Sequence, residues 1–148
     1  MIVIDSREKK FDHIRNYFDK NNVPYEFPHK LDVGDYINTE NPNVVVDRKA
    51  NLQEICMNLS KGESNIVRFA KECRRARQQG IRLVVLIEGT SIKNVSELQG
   101  WKSKYSKHTG KFLKDKMFEM TVAYNAEWVF CKKNETAKRI LEILGYEC

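Results

Sequence analysis

A chain of 148 residues is long enough to bury one hydrophobic core but short for two independent folds, so residues 1–148 are expected to form a single domain. With 41% hydrophobic and 10% aromatic residues, the composition excludes a disordered chain. The formal net charge of +6, with 26 Lys and Arg against 20 Asp and Glu, favours a polyanionic partner such as nucleic acid.

The first elements of the chain alternate between strand and helix. Residues 2–5 are β-branched and apolar and predict a buried strand that ends at Asp5. Apolar residues at helical spacing predict a helix over 11–22, where two asparagines end the pattern. A short strand is expected at 24–27.

Two β-branched runs, 33–37 and 44–49, flank a polar turn that contains Pro42. This pattern predicts an antiparallel β-hairpin. Asp35 and Asp47 lie one on each arm, so the hairpin is expected to bring two carboxylates onto neighbouring strands.

Helical patterns continue through the middle of the chain. An i, i+3, i+4, i+7 apolar repeat predicts a helix at 52–59, and a second helix is expected at about 65–79, with Ser64 as its candidate cap. The second helix has one apolar face and one basic face. The unbroken apolar run at 82–89 is the clearest buried strand in the sequence.

The last third begins with a weakly patterned segment, 90–110, which is predicted to be a long exposed loop with at most one helical turn near 96–99. A helix through 113–124, a strand at 127–131 and a helix that ends at Gly145 follow. Strands separated by helices at this spacing predict a three-layer α/β/α domain with a central mixed sheet, whose antiparallel part is the hairpin.

The cysteines and the hydropathy pattern limit the other classes of protein. The four cysteines, at positions 56, 73, 131 and 148, form no Cys-x-x-Cys pair and have no histidine at zinc-finger spacing. Structural zinc is therefore not expected, and Cys56 and Cys73 are predicted to be buried thiols in a reducing, cytoplasmic compartment. No apolar run approaches the roughly 18 residues of a membrane span, so no membrane partner is expected.

The hairpin carries the residues with the clearest chemistry. Because side chains alternate along a strand, Asp47 and Lys49 are expected on one face and Arg48 on the other. Two carboxylates on adjacent strands suit a hard cation such as Mg²⁺, and a neighbouring lysine that positions or deprotonates water suits phosphodiester hydrolysis. The alternative interpretation of an Asp-x-Lys sequence is a solvated surface pair.

Five segments in this order resemble the XPF-type nucleases, the structure-specific endonucleases of excision repair and recombination. The segments are VIDSRE at 3–8, LDVGDYI at 31–37, VVVDRK at 44–49, RFAKE at 68–72 and LVVLIEG at 83–89. The resemblance is close over residues 1–90 and looser beyond them. It implies a restriction-endonuclease-like fold and Mg²⁺- or Mn²⁺-dependent cleavage of DNA near junctions, flaps or branches, leaving a 5′ phosphate and a 3′ hydroxyl.

The resemblance also assigns site residues. The residues that it places in catalysis are Asp5, Glu8, Asp35, Asp47 and Lys49. Asp35 and Asp47 are expected to bind the metal directly, with the backbone carbonyl of Arg48 as a third ligand. Asp5 and Glu8 are expected to support this ion or a second one.

Lys49 is expected to act on the attacking water. Two positions depart from the family pattern: the family usually has Glu where this chain has Asp47, and an acid where it has Gln53. The first change keeps the charge, whereas the second leaves open whether the site is active.

Three further residues are expected to support the site. Arg7 lies between two predicted ligands and could contact a phosphate or pair with a neighbouring carboxylate. Arg68 and Glu72 match the family's Arg-Phe-x-x-Glu, and an i, i+4 helical ion pair beside the site is the expected arrangement.

DNA contacts are expected from the basic face of the 65–79 helix and from the lysine-rich segment 93–116. In that segment Trp101 and Tyr105 could stack on unpaired bases, although Trp101 could instead anchor the loop to the core. The predicted DNA-binding residues are Arg68, Lys71, Arg75, Trp101, Lys102, Lys104, Lys107 and Lys111.

The alternative to an endonuclease is a non-catalytic DNA-binding module, because the family includes inactive partners of active subunits. Intact acids at four motif positions argue against this alternative and Gln53 argues for it. An RNA-binding or RNA-cutting protein is permitted by the charge but disfavoured by the motifs. The length leaves no room for the helix-hairpin-helix or helicase domains of many relatives, so DNA affinity is expected to come from the domain itself, from a homodimer or from a protein partner. The resemblance to stand-alone members of the family implies a phage or bacterial origin.

Overall fold

Strands and helices alternate along the computed structural model, which describes residues 1–60 and 65–147. The strands in this part of the chain are β1 (Ile2–Ile4), β2 (Tyr25–Glu26), β3 (Tyr36–Asn38), β4 (Asn41–Lys49), β5 (Arg82–Ile87) and β6 (Glu127–Phe130). The α-helices are α1 (Asp12–Lys20), α2 (Leu52–Asn58), α3 (Asn65–Gln78), α4 (Gly110–Tyr124) and α5 (Thr136–Ile143). Short 3₁₀ helices occupy Val95–Gly100 and Lys133–Glu135.

The six strands form one mixed sheet in the order β2-β1-β3-β4-β5-β6. β3 is antiparallel to both β1 and β4, whereas the other neighbouring pairs are parallel. Helices α2, α3 and α4 cover one face, and α1 and α5 cover the other. The predicted α/β/α architecture with a mixed sheet is therefore confirmed.

The central strands are buried on both faces because their side chains alternate between two cores. Leu83, Val85 and Ile87 of β5 pack under α2, α3 and α4. Val84 and Leu86 pack on the opposite side, under α1 and α5. This double burial explains the unbroken apolar run of β5.

The β3–β4 hairpin is present, but its turn is tighter than predicted. β4 begins at Asn41, and Asn38 pairs with Asn41 across a two-residue turn. Pro42 lies where the β3–β4 register shifts, and β4 pairs with β5 only from Val44 onward. The proline therefore removes no ladder hydrogen bond, which explains how a strand accommodates it.

The segment 90–110 is less exposed than predicted. Its 3₁₀ helix includes the expected helical turn, but Leu98 is fully buried and Trp101 packs against the core of α2, α3 and α4. At Gly110, a Cβ atom would overlap the Leu98 carbonyl oxygen, so glycine permits α4 to begin against this segment. The segment is therefore a loop anchored to the core, although its sequence has little periodic pattern.

Cys56 and Cys73 are buried free thiols, as predicted, and so is Cys131. Ser64, the predicted cap of α3, and Cys148 lie outside the described residues. In residues 1–60 and 65–147, no helix combines the length and apolar character needed to cross a bilayer.

Candidate active site

An open cleft of about 670 Å³ lies between the β3–β4 hairpin and helices α2 and α3. The charged residues that line it are Arg7, Glu8, Lys30, Asp32, Asp35, Asp47, Arg48, Lys49, Glu54, Arg68, Glu72 and Arg75. Acids and bases from distant parts of the sequence therefore share one opening.

Asp47 and Lys49 lie side by side at the carboxyl end of β4, as strand alternation predicts. The Nζ atom of Lys49 is 3.4 Å from Oδ1 of Asp47. The same atom lies 5.6 Å from the centre of the Phe69 ring of α3. The Arg48 guanidinium lies on the opposite face of the sheet, where it contacts Glu88.

The backbone fixes Asp35 beside this pair. Its N–H donates to the carbonyl of Val46 at 2.7 Å, and its Oδ2 accepts the N–H of Arg48 at 2.8 Å. Gly34, which precedes it, has φ +71°, and a Cβ there would meet Val45 at 3.1 Å. The Gly-Asp pair therefore combines a left-handed turn with close backbone approach, which presents the carboxylate to the cleft.

Asp35, Asp47 and Glu72 form a crowded set of carboxyl groups. Oδ2 of Asp47 is buried and has no hydrogen-bond partner among the described residues. Burial and the charge of Asp47 raise the pKa of Asp35 well above its ordinary value, and raise that of Glu72 to about 8. Burial and mutual repulsion therefore disfavour a fully ionised set of carboxylates when no cation is present.

Asp47 itself keeps its negative charge. Burial raises the pKa of Asp47, but the Lys49 ammonium and the neighbouring carboxyl groups outweigh this effect and lower it. Burial conversely lowers the pKa of Lys49, and the charges of Asp47, Glu72 and Asp35 outweigh that effect and raise it. Lys49 is therefore a cation at neutral pH in the metal-free protein.

The donor set fits a hard divalent cation. Among residues 1–60 and 65–147, no three His, Cys, Asp or Glu side chains converge as a ready-made metal-binding group. Mg²⁺ does not need such a group, because it typically binds through one or two carboxylates together with waters and phosphate oxygens. The unpaired Asp47 oxygen beside Asp35 provides ligands of this kind.

Asp5 is placed differently from expectation, since its carboxylate is directed into the fold. Oδ1 accepts the backbone N–H and the Nε–H of Arg7, and Oδ2 accepts Nη2 of Arg7 and the N–H of Leu31, at 2.8–2.9 Å. Burial alone would raise the pKa of the Asp5 carboxyl. The hydrogen bonds from Arg7 and Leu31 outweigh burial, so the pKa lies below its ordinary value. Asp5 holds the loop after β1 in place and does not line the cleft, and Arg7 adopts the predicted carboxylate pairing.

Glu8 belongs to a buried ionic network centred on Arg48. The guanidinium of Arg48 donates to both oxygens of Glu8, at 2.9 and 3.1 Å, and to Oε1 of Glu88 at 3.0 Å. Nε2 of His13 lies 3.0 Å from the same Glu88 oxygen. The network joins the loop after β1, α1 and the end of β5. Glu8 also lines the cleft, and both of its carboxylate oxygens accept hydrogen bonds from Arg48.

The predicted ion pair between Arg68 and Glu72 is not formed in the described structure. The Glu72 carboxylate instead accepts the N–H of Gly34 at 3.2 Å and lies beside Asp47. Arg68 is exposed at the rim of the cleft. The helical spacing allowed the pair, but the acid turns inward toward the cleft.

Sequence reasoning missed the position of Glu72 in the acid cluster. Its neighbours Phe69 and Cys73 face the core. An acid among the core-facing residues of α3 was the sequence signal that could have indicated an inward position for Glu72. Asn58 is a similar case, since its Oδ1 is buried at the cleft without a hydrogen-bond partner among the described residues. Lys30 lies in a loop, where no sequence pattern marks it.

The predicted DNA-binding residues fall into two groups. Arg68 and Arg75 line the cleft, and Lys71 lies on the same helix in an exposed position. The remaining lysines, Lys102, Lys104, Lys107 and Lys111, are exposed on and after the loop that follows Trp101. Trp101 is partly buried against the core, which matches its alternative role as an anchor.

Gln53 lies outside the set of described residues that line the cleft, whereas Glu54 belongs to it. The Glu54 carboxylate accepts the N–H of Ala50 at 2.7 Å, and its own N–H donates to Asn51. An acid is therefore present at the cleft in the first turn of α2, one residue after the position that departs from the family pattern.

Comparison with known proteins identifies relatives of this chain in sequence and in fold. The sequence model of the ERCC4 domain matches residues 4–143. The solved structure of XPF from Aeropyrum pernix superposes with a TM-score of 0.66 at 15% identity, over 97% of this chain and 59% of that chain. This likeness shows the restriction-endonuclease-like fold. No curated protein matches the sequence.

Proposed function

The chain belongs to the ERCC4 domain family of XPF-type nuclease domains, and from this premise we propose that it is a metal-dependent endonuclease acting on branched, flap or junction DNA. The observation that carries the proposal is the buried, unpaired oxygen of Asp47 in a cleft shared with Asp35, Glu72 and Lys49. A buried carboxylate oxygen without a partner is costly unless a cation meets it.

Asp35 and Asp47 would hold the ion, with Glu72 beside them and the backbone carbonyl of Arg48 as a further candidate ligand. Oxygen donors of this kind suit Mg²⁺ or Mn²⁺. When bound, such an ion orients the phosphate and lowers the pKa of a water molecule.

The protein's own groups position the DNA. The Lys49 ammonium, held 3.4 Å from Asp47, stabilises negative charge on the phosphate or orients the attacking water. Arg7 and Arg68 at the rim neutralise flanking phosphates. Hydrolysis would leave a 5′ phosphate and a 3′ hydroxyl, as in the family.

Asp5 and Glu8 take positioning roles in this proposal. Asp5 fixes the loop that carries Arg7, and Glu8 fixes Arg48, whose backbone N–H orients Asp35. The Asp5 oxygens each accept two hydrogen bonds, and both Glu8 oxygens accept hydrogen bonds from Arg48.

The non-catalytic alternative is less well supported. An inactive module needs neither a buried unpaired carboxylate oxygen nor a lysine held against it. Gln53 does not line the cleft and Glu54 does, so the departure at position 53 leaves the acidic cleft intact.

The DNA would extend beyond the cleft over α3 and over the lysine-rich loop. Arg68, Lys71 and Arg75 give α3 a basic surface, and further lysines follow Trp101. A second copy of the chain or a protein partner would add contacts, as in the family.

A cleavage panel tests the proposal. Flap, fork, four-way junction, single-stranded and duplex DNA are incubated with the protein in Mg²⁺, in Mn²⁺ and in EDTA, and the ends of the products are mapped. We expect branched substrates to be cut with either metal and not in EDTA.

Inactivity on every substrate, together with tight metal-independent binding to branched DNA, would support the binding module instead. Cleavage that persists in EDTA would contradict the proposed metal dependence. Preferential cleavage of RNA substrates would contradict the assignment to DNA.

A further inference from the structure

The loop from Lys102 to Thr109 is folded around one buried side chain, Ser103. Its Oγ accepts the N–H groups of Tyr105 and Ser106, each at 3.2 Å, and its own N–H donates to the carbonyl of His108 at 3.0 Å. Lys102 and Thr109 pair as an antiparallel bridge at the base of the loop. The loop therefore has a defined shape although most of its side chains are exposed.

Gln53 ties this loop to helix α2. Its Nε2 donates to the Ser103 Oγ at 3.1 Å, and its Oε1 accepts the N–H of Lys104 at 3.2 Å. Both ends of the side-chain amide are used, and a carboxylate at this position would lack the donor. Gln53 lies in the first turn of α2, four residues after Lys49. The amide therefore holds the loop next to the start of α2, beside the cleft.

The tethered loop displays groups that suit a nucleic-acid strand. Residues 98–114 contain no acid, and their lysines are Lys102, Lys104, Lys107, Lys111 and Lys114. The Tyr105 side chain is 82% exposed between two of them. Lysines neutralise phosphates, and an exposed aromatic ring can stack on a base that has no pairing partner.

We propose that Gln53 is a positioning residue that holds the 102–109 loop in place to bind the single-stranded arm of a branched DNA beside the cleft. The inference rests on the proposed nuclease function. It gives the residue that departs from the family pattern a role in substrate binding instead of in the chemistry.

Gln53→Ala tests the role, with Gln99→Ala as the matched control because Gln99 is exposed on the neighbouring 3₁₀ helix. Binding is measured in EDTA by fluorescence anisotropy with a flap DNA and with a blunt duplex of the same length. We expect Q53A to raise Kd for the flap about tenfold, with the duplex affected less than about twofold, and Q99A to change neither.

Turnover separates positioning from catalysis. With metal present, Q53A is expected to raise KM and leave kcat at saturating flap DNA within about twofold of the parent. Hydrogen exchange at the amides of Lys104 and Ser106 should be faster in Q53A. Gln53→Glu, which keeps an acceptor for the Lys104 N–H, should give an intermediate Kd.

A double-mutant cycle tests whether Gln53 acts through the loop. In a Lys102→Ala, Lys104→Ala, Tyr105→Ala, Lys107→Ala background, Q53A should have little further effect on flap binding, since the contacts that it positions are already absent. An undiminished effect in that background would overturn the proposal.

Other outcomes separate this inference from the proposed function. If the parent binds flap DNA and Q53A leaves that binding unchanged, the inference alone is overturned. Equal losses of affinity for flap and duplex DNA in Q53A would also overturn it. Absence of DNA binding by the parent, even at low salt, would contradict the proposed function itself.

Discussion

Lys49 acts as a cation in this cleft because three carboxyl groups surround it and keep its pKa raised. A catalytic role for the charge predicts that Lys49→Met lowers single-turnover cleavage by about 10²- to 10³-fold, and that Lys49→Arg loses less because it keeps the charge. Flap binding in EDTA should change less than about threefold in both variants. Equal loss in the two variants would instead indicate that a neutral lysine acts as the base.

Glu72 makes the stability of the metal-free protein depend on pH. Its pKa is about 8 in the folded protein because of burial and the Asp47 charge, against about 4.5 for an ordinary Glu. The folded state thus retains a proton that the unfolded state releases, and the resulting stabilisation is lost as pH rises from about 4.5 toward 8.

Glu72→Gln removes this titration. In EDTA we expect little difference in Tm between variant and parent at pH 4.5. The Tm of the variant should increasingly exceed that of the parent up to pH 9, where the difference in the free energy of unfolding is about a few kcal/mol. Saturating Mn²⁺ should reduce that advantage. A difference in Tm that does not vary with pH would contradict the position of Glu72 among the acids.

At the residue scale, strand alternation predicted the Asp47–Lys49 pair and the opposite direction of Arg48. It could not predict the environment of Asp5, since the hydrogen bonds from Arg7 and Leu31 depend on a loop without periodicity. For Glu72, the i, i+4 spacing suggested a surface pair, and only the packing of α3 against the sheet turns the acid inward.

At the element scale, Arg48 is the residue that ties β4 to the loop after β1 and to the end of β5. Its guanidinium is buried between Glu8 and Glu88, and their proximity keeps its pKa raised despite burial. Arg48→Met should therefore lower the free energy of unfolding by about 3–5 kcal/mol, because two buried carboxylates lose their partner.

Arg82→Met is the matched control for urea denaturation. Arg82 is also a strand arginine with a carboxylate partner, Glu127, but the pair is exposed and should contribute less than about 1 kcal/mol. A loss for Arg48→Met no larger than that for Arg82→Met would show that the buried network does not hold the elements together.

The helices were predictable from their apolar period, and β5 was predictable from its unbroken apolar run. The hairpin turn was predicted too long because Pro42 reads as a turn residue, whereas a register shift lets β4 include it. The 90–110 segment was predicted to be exposed, because its anchoring depends on isolated contacts of Leu98, Trp101 and Gly110 that have no period.

At the scale of the whole molecule, the net charge of +6 predicts DNA binding that depends on salt. Kd for flap DNA should rise steeply between 50 and 200 mM salt as counterions compete for phosphates. Replacing Lys102, Lys104 and Lys107 with Ala should reduce the slope of log K against log salt by about one for each lysine that contacts a phosphate. Salt-independent binding would contradict this electrostatic contribution.

The central claim is that the Asp47 cleft cuts DNA with a divalent ion. The most direct measurement is the single-turnover cleavage rate of flap DNA in Mg²⁺ and Mn²⁺ for Asp47→Asn and for Asp32→Asn. Asp32 lines the same cleft, but its side chain is 67% exposed at the rim. We expect D47N to lose cleavage by at least about 10³-fold while it still binds flap DNA, and D32N to stay within about threefold of the parent. Cleavage by D47N at the parental rate would contradict the claim.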